Sequence, residues 1–543
     1  MVTQLYWDLR EEFRGYTLGR LGRDLMAGLT VCAVALPLAL AFGVSSGATA
    51  AAGLVTAIIA GVVIGLLGGA SYQISGPTGA MSAVLIAIVA QHGLQGVFLA
   101  CFAAGVVLLL CGLFRLGRLI SFIPMPVIMG FTSGIALIIA IGQIDAFFGT
   151  VSQGSTTLER LASYGKLGFH PNLSTTCIGL LVVAVMVFWP KAWGKRVPGS
   201  LVGIVLATGI TALLGLSDPA LVGEIPRTLV LPDRLSFSQI NWWSLPDLIP
   251  SIVTISALAM IESLLCGASA SRMKQETFHA DRELVAQGVG NLLLPFFGGV
   301  PATAAIARTS VAIRSGEETR LTSVFHAIFL LLSMLFLADV MACLPMSALA
   351  GVLMVTAFRM NEWSGIRYLF HRGFKSGISQ YLLTMATTVI FDLTVAIFIG
   401  VLYSAVLHMS KSRILVSFSD IDPSRMQGSE AAVLPQDACV AYVTGSLFFG
   451  AVSEFQEACS HLPDCQQVIF SLRGMPSIDV SGVQCLLELI ESLHERGIEV
   501  FFCGVAEEVK TYFDRSGVTE AVGGESAFYW SADMALLSLG KAA

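Results

Sequence analysis

The sequence predicts an α-helical polytopic membrane protein, with 14 transmembrane segments as a 7+7 inverted repeat containing two half-helices, plus a soluble α/β domain at the C-terminal end. Three observations predict it. Only 13% of the 543 residues are charged and 55% are hydrophobic, with a mean hydropathy of +0.78. Soluble globular chains carry about a quarter charged residues, so most of this chain belongs in lipid. Two stretches, Ser75-Gly76-Pro77-Thr78-Gly79-Ala80-Met81-Ser82 and Gly298-Gly299-Val300-Pro301-Ala302-Thr303-Ala304-Ala305, break otherwise apolar sequence with Gly, Pro and small residues. After Lys411 the composition returns to that of an ordinary soluble domain.

The elements follow in order. Residues 1–23 read as a cytoplasmic segment carrying Arg10, Arg14, Arg20 and Arg23. The next apolar run is too long for a signal-peptide core, so no cleavage is expected. A first span covers about 24–45, long enough to cross at ~1.5 Å per residue. Pro37 in its middle is either a kink or part of a site. A second, Gly-rich span at 47–69 leads to the first interrupted stretch and a half-helix ending near Gln91. Further spans read at 94–114, 124–148, 173–190 and 197–216. The polar loop 217–246 ends in Trp242 and Trp243, which suit an interfacial anchor. Spans resume at 247–270 and 283–297. A second half-helix follows at 301–313, then spans at 320–338, 342–359, 376–391 and 393–410, the last two divided only around Asp392.

Each interrupted stretch reads as a helix that starts inside the membrane. Proline suits the first turn of a helix, where its missing N–H would have had no partner. Such a start leaves backbone N–H groups pointing outward with the positive end of the helix dipole behind them. Two facing starts form an anion site that needs hardly any charged side chain.

Positive charge supports the count. With the N-terminus inside, every even-numbered segment ends inside, where Lys and Arg collect. Those ends carry Arg115/Arg118, Lys191/Lys195/Arg196, Arg272/Lys274, Arg314/Arg320, Arg359/Arg367/Arg372/Lys375 and Lys411/Arg413; only the second segment lacks one, and Arg227 and Arg234 fall outside. A repeat is also visible. Asp24-Leu25 and Asp247-Leu248 stand 223 residues apart, Pro77 and Pro301 224. Seven segments per copy is odd, so the second copy is inverted, and inverted repeats with paired broken helices mark a transporter site at mid-membrane. The domains read as 1–23, a transmembrane domain 24–411 with repeats of about 24–216 and 247–410, and a cytoplasmic domain 412–543. In the last, strands are expected at Ala438–Tyr442, Gln467–Leu472 and Glu499–Cys503, and helices at 452–460, 481–496 and 505–515.

Several classes are excluded. There is no Lys/Arg run or basic stripe for nucleic acid. The eleven Cys are scattered without a C-x-x-C pair and read as small packing residues, not disulfides or metal ligands. No nucleotide loop, metal cluster or nucleophile–base pair suggests an enzyme, and no cofactor is expected.

Glu262 lies about sixteen residues into its span, where a carboxylate is costly unless it faces the interior, is paired or is protonated. It is the candidate coupling-ion residue. Arg308 follows Pro301 by seven residues; it either adds positive charge behind the helix start, pairs with Glu262, or snorkels toward Arg314. Thr78 and Thr303 offer hydroxyls beside the helix starts and also suit capping. Asp339 and Asp392 read as solvated at outer ends, and His326 as a satisfied packing residue. Ser481, in Asp479-Val480-Ser481-Gly482, suits a helix N-cap; the alternative is a regulatory phosphorylation site.

These residues carry a resemblance. Ser75–Ala80, Ile261-Glu262-Ser263-Leu264-Leu265 and Pro301–Thr309 are similar to the bacterial sulfate permease (SulP) family of anion transporters, over nearly the whole chain. Gly445-Ser446-Leu447-Phe448-Phe449-Gly450 and Asp479–Gly482 resemble the STAS domain that these carry. The resemblance implies a core domain moving against a gate domain, a homodimer in the bacterial inner membrane, and a cytoplasmic STAS domain open to a protein partner. It implies an anion held near Thr78, Gly79, Ala80, Ala304 and Ala305, with Arg308 beside it, and a coupling role for Glu262. Sodium-coupled bicarbonate members resemble Asp-x-x-x-Thr there; this chain has Glu262 and then Cys266, and sodium prefers oxygen over sulfur. Proton-coupled symport of sulfate, bicarbonate or a dicarboxylate is expected. The alternatives are an uncoupled exchanger or channel, or a membrane sensor signalling through the STAS domain.

Overall fold

The computed structural model describes residues 2–118, 124–154, 156–190, 198–216, 218–236, 238, 245–391, 393–411, 414–419 and 437–542. Trp242, Trp243, Asp392, Lys191, Lys195, Arg196 and Arg413 lie outside them, as do the side chains of Arg272 and Lys411. The chain divides into two compact units, Met1–Leu402 and Tyr403–Ala543.

The first unit is helical. Its elements are α1 (Val2–Glu12), α2 (Leu18–Ser45), α3 (Ala50–Leu67), the strand β1 (Ser75–Gly76), α4 (Gly79–Leu113), α5 (Met125–Gly142), α6 (Ile144–Phe148), α7 (Thr157–Leu167), α8 (Leu173–Phe188) and α9 (Gly199–Leu213). There follow α10 (Leu245–Lys274), α11 (Ala280–Leu293), the strand β2 (Thr303–Ala304), α12 (Ile306–Arg314), α13 (Leu321–Phe336), α14 (Ala338–Ala342), α15 (Met346–Met360), α16 (Trp363–His371), α17 (Lys375–Ile390) and α18 (Leu393–Lys411), whose residues from Tyr403 on belong to the second unit. Among the described residues, five helices are long and apolar enough to cross a membrane, accompanied by shorter apolar ones.

Local chemistry explains several boundaries. α2 starts six residues ahead of Asp24 because Thr17 caps it, accepting from the Arg20 N–H at 3.3 Å. Pro37 is carried inside α2, buried. α4 is two helices joined at Gly93, whose φ of 66° and ψ of −175° are not helical, so the expected half-helix ends there. The second half-helix is shorter than expected: α12 begins at Ile306, not just after Pro301. Proline tolerates extended backbone as well as a helix start, and here Thr303 and Ala304 pair as a strand. Pro77 likewise precedes the capping residue Thr78 and is not in the first turn.

Glycines bring helix backbones into contact. A methyl group on Gly53 of α3 would lie 2.0 Å from the Ala39 carbonyl oxygen of α2, and one on Gly288 of α11 2.6 Å from the Leu109 nitrogen of α4. On other helices, a methyl on Gly130 of α5 would lie 2.4 Å from the Tyr381 oxygen of α17, and one on Gly351 of α15 2.9 Å from the Gly179 oxygen of α8.

The amino-terminal helix is tied down by charge. Asp8 pairs with Arg282, and Glu12 Oε2 lies 2.9 Å from Nε of the buried Arg320. Arg320 Nη1 also donates to the Leu66 carbonyl at 2.7 Å, so this arginine is a buried anchor and not the surface charge that the sequence suggests. Asp24 is buried and accepts from the Thr319 and Glu318 N–H groups. Nearby, Lys274 Nζ lies 2.8 Å from the buried Glu317 carboxylate. Asp339 is exposed and meets Arg227 at 2.6 Å. His326 is fully buried, and neither ring nitrogen has a hydrogen-bond partner, contrary to the satisfied packing role expected.

The second unit holds a five-stranded sheet in the order β3 (Leu415–Ser419), β4 (Ala438–Thr444), β5 (Gln467–Gly474), β6 (Glu499–Cys503), β7 (Phe528–Tyr529). β3 pairs antiparallel with β4; the other pairs are parallel. Alternate residues face opposite ways. Ala441, Val443, Val468 and Phe470 pack with α19 (Val452–Ser460), α20 (Val480–Glu495), α21 (Glu507–Ser516) and α22 (Val518–Ala521). Val440, Ile469 and Cys503 meet α23 (Ala532–Ala542) on the other face. The expected strands and helices are present; β3, β7, α22 and α23 were not expected.

Two predictions follow from packing and charge. Gly53→Ala should cost about 1–3 kcal/mol of stability, because backbone cannot yield to the added methyl; its melting temperature in detergent should fall. Gly209→Ala, where nothing lies within 4 Å, should melt with the wild type, and equal melting of both variants would refute the close approach. Burial pushes the Glu317 carboxyl up to about 7 against the pull of Lys274. The folded state then keeps a proton that the unfolded chain releases near 4.5, so this group favours folding at low pH and its contribution is lost as pH rises through 7. Thermal melts across that window should show the decline, and Glu317→Gln should flatten it.

Candidate functional site

β1 and β2 cross antiparallel, Ser75 opposite Ala304 and Gly76 opposite Thr303. Because they run in opposite directions, α4 leaves one end of the crossing and α12 the other, and both helix N-termini turn toward it. The strands are too short to satisfy each other, and side chains from four helices complete them. Thr56 of α3 accepts from the Val300 N–H at 2.8 Å. Asn291 of α11 accepts from the Ala302 N–H at 2.8 Å and donates to the Ala302 carbonyl at 2.9 Å. Ser263 of α10 accepts from the Ala304 N–H at 3.2 Å, and Thr309 of α12 from the Ile74 N–H at 3.1 Å.

The two helix starts differ. Thr78 caps α4, its hydroxyl oxygen accepting from the Met81 N–H at 3.4 Å. Ala305 begins α12 with no side-chain cap, which leaves the first-turn N–H groups without an intrahelical acceptor. Ile306 and Ala307 there are exposed, whereas Thr78, Gly79, Ala80 and Ala304 are buried. Gly79 is required by contact: a methyl on it would meet Ile139 Cδ1 at 2.4 Å and Phe42 Cε1 at 3.0 Å.

Glu262 stands beside this crossing. Its Oε2 accepts from the Thr78 hydroxyl at 2.8 Å. The next residue, Ser263, meets the Thr303 hydroxyl at 3.1 Å, so Thr303 is a strand residue bonded to α10 and caps no helix. Arg308 is 1% exposed, which removes the snorkelling alternative. Nη2 donates to the Pro77 carbonyl at 2.9 Å, and Nη1 packs where a Gly76 methyl would be, 2.4 Å away. Its charge lies under the turn leading into α4, and among the described residues its hydrogen bond goes to the Pro77 carbonyl while Glu262 is bonded to Thr78, with no ion pair joining the two. Cys266, one turn beyond Glu262, directs its thiol to Thr309 at 3.4 Å.

A cavity of about 610 Å³ opens between α2, α4 and α10 on one side and α5, α15 and α17 on the other. Its lining reaches Ser82, one turn along α4, and includes Gln143, Arg160, Asp247 and Thr254. Sequence reasoning missed this cavity, and it missed Thr56, Gln287, Asn291 and Thr309. Their signal was polar residues at helical spacing in apolar sequence. In the second unit Ser481 is not the N-cap of α20. Asp479 is, accepting from the Gly482 N–H at 2.8 Å and the Phe449 N–H at 3.0 Å. Ser481 is the second helical residue, too far along to cap.

Residues 21–384 match the model of the sulfate permease family, and residues 431–529 that of the STAS domain. The chain is 32% identical to "Putative sulfate transporter YvdB" of Bacillus subtilis strain 168, over 95% of this chain and 97% of that one. It is 30% identical to "Bicarbonate transporter BicA" of Picosynechococcus, over 91% of this chain and 90% of that one. The murine Solute Carrier 26 family member A9 anion transporter has the same fold, with a TM-score of 0.85 at 17% identity, covering 97% of this chain and 92% of that one. The chain therefore belongs to the sulfate permease family of anion transporters, with a C-terminal STAS domain.

Proposed function

We propose that this chain is a secondary transporter that takes up sulfate, bicarbonate or a dicarboxylate together with a proton, the anion held between the starts of α4 and α12. It acts in the bacterial inner membrane as a homodimer with both termini cytoplasmic, as the distribution of Lys and Arg supports. The transmembrane domain spans 24–411, and the STAS domain, 412–543, is left to meet a partner protein. The observation that carries the reading is the 2.8 Å hydrogen bond from Thr78 to Glu262.

That bond links a proton to an anion. Thr78 has one hydroxyl proton. While Glu262 is ionised it takes that proton's hydrogen bond, and its negative charge sits beside the α4 N-terminus. An incoming anion meets a like charge there, which raises its energy in a medium of low dielectric. Protonating Glu262 removes the repulsion and leaves the dipole ends of α4 and α12, with Arg308 beneath them, to face the anion. Anion binding favours protonation in return, because coupling between two binding events is reciprocal. Two ligands that favour each other and share one moving site travel together. Cys266, bonded to Thr309, supplies sulfur where a sodium site would want oxygen, which supports the proton.

Glu262→Gln mimics the protonated carboxyl. In proteoliposomes this variant should lose accumulation of radiolabelled sulfate or bicarbonate driven by an inward proton gradient, while anion counterflow persists. Gradient-driven uptake equal to wild type would sink the assignment of Glu262, and wild-type flux that ignores the gradient would make the protein an uncoupled exchanger. Replacing sodium by choline should change nothing.

A further inference from the structure

Glu283, Gln287 and Asn291 recur every fourth residue on α11, so they stand on one face of the helix. All three are fully buried. Glu283 accepts from the Gly69 N–H at 2.9 Å and from Gln287 Nε2 at 2.9 Å. The same Gln287 amide donates to the Ser75 hydroxyl at 2.9 Å. One turn on, the Asn291 amide takes both the N–H and the carbonyl of Ala302, as a neighbouring strand would.

The two grips are placed alike. Ser75 precedes Thr78, the cap of α4, by three residues, and Ala302 precedes Ala305, the cap of α12, by three. One rigid helix therefore holds both approaches to the crossing, and the rise of one helical turn, ~5.4 Å, sets the spacing of its two grips. We propose that Gln287 and Asn291 are positioning residues that fix the separation of the two helix starts and thereby the size of anion that fits between them. This rests on the anion site proposed above. Neither residue touches the anion; each acts through three residues of backbone.

Purified variants in proteoliposomes test it, with bicarbonate, sulfate and fumarate as probes. Asn291→Asp keeps the shape and the acceptor but loses the donor to Ala302. Gln287→Met keeps the length but loses the donor to Ser75 and to Glu283. Each should raise the apparent KM about tenfold, the effect of one lost buried hydrogen bond, unequally among the three anions, with Vmax per folded transporter little changed. A purely structural role would lower the amount of active protein and leave the KM ratios alone. Ser75→Ala, which leaves α11 intact, guards against misfolding: it should reproduce the Gln287→Met shift, and the double variant should add nothing. Unchanged KM ratios in Ser75→Ala and the α11 variants, with the wild type transporting, would overturn the positioning role. Absence of wild-type flux for all three anions would overturn the underlying transport reading instead.

Discussion

Extended backbone inside a membrane domain must find a partner for each peptide group within the protein, because lipid offers none. That constraint governs the centre of this fold. The two strands bring only two residues each to the crossing, so the remaining groups are met by Thr56, Ser263, Asn291 and Thr309, each from a different helix. A partnership of this kind fixes where those helices stand. It also explains why small residues flank the strands: any bulk at Gly76 or Gly79 would displace Arg308 or Ile139. The site is thus a product of hydrogen-bond accounting first and of charge second.

Charge enters with economy. Arg308 lies beneath one turn and Glu262 beside it, and both reach neutral groups: the Pro77 carbonyl and the Thr78 hydroxyl. Bonded directly to each other, they would neutralise the field that the helix ends provide. Held apart, they leave that field unneutralised.

Much of this was legible in the sequence, because membrane segments declare themselves by composition and broken helices by Gly and Pro. Most helix positions and the break near Gln91 follow from such signals; the hydrogen bond from Thr78 to Glu262 does not, because it joins distant parts of the chain. The start of α12 did not, since Pro301 also tolerates the extended backbone that leads into β2, and pairing across more than two hundred residues leaves no local trace. The α11 ladder was hidden differently. Its polar residues looked like a weak span, because their partners, Ser75 and Ala302, are known only once the strands cross. Ser481 shows a competition the sequence leaves open: Asp479 and Ser481 are both good caps, and the turn bonded to Phe449 chooses the first.

The glycine contacts have a mechanical meaning. They join α3 to α2 and α11 to α4 on one side, and α17 to α5 and α8 to α15 on the other. Among the described residues, no glycine presses the backbone of a helix on one side against the backbone of a helix on the other; at Gly79 the contact across is with the tip of the Ile139 side chain. Backbones in contact work as a ratchet that resists sliding, whereas a seam of side chains re-packs by changing rotamers. The 610 Å³ cavity lies along that seam. Shear therefore costs least there, and the strand crossing, fastened wholly to the first side, would ride past the second as cargo on a carriage and keep its own geometry.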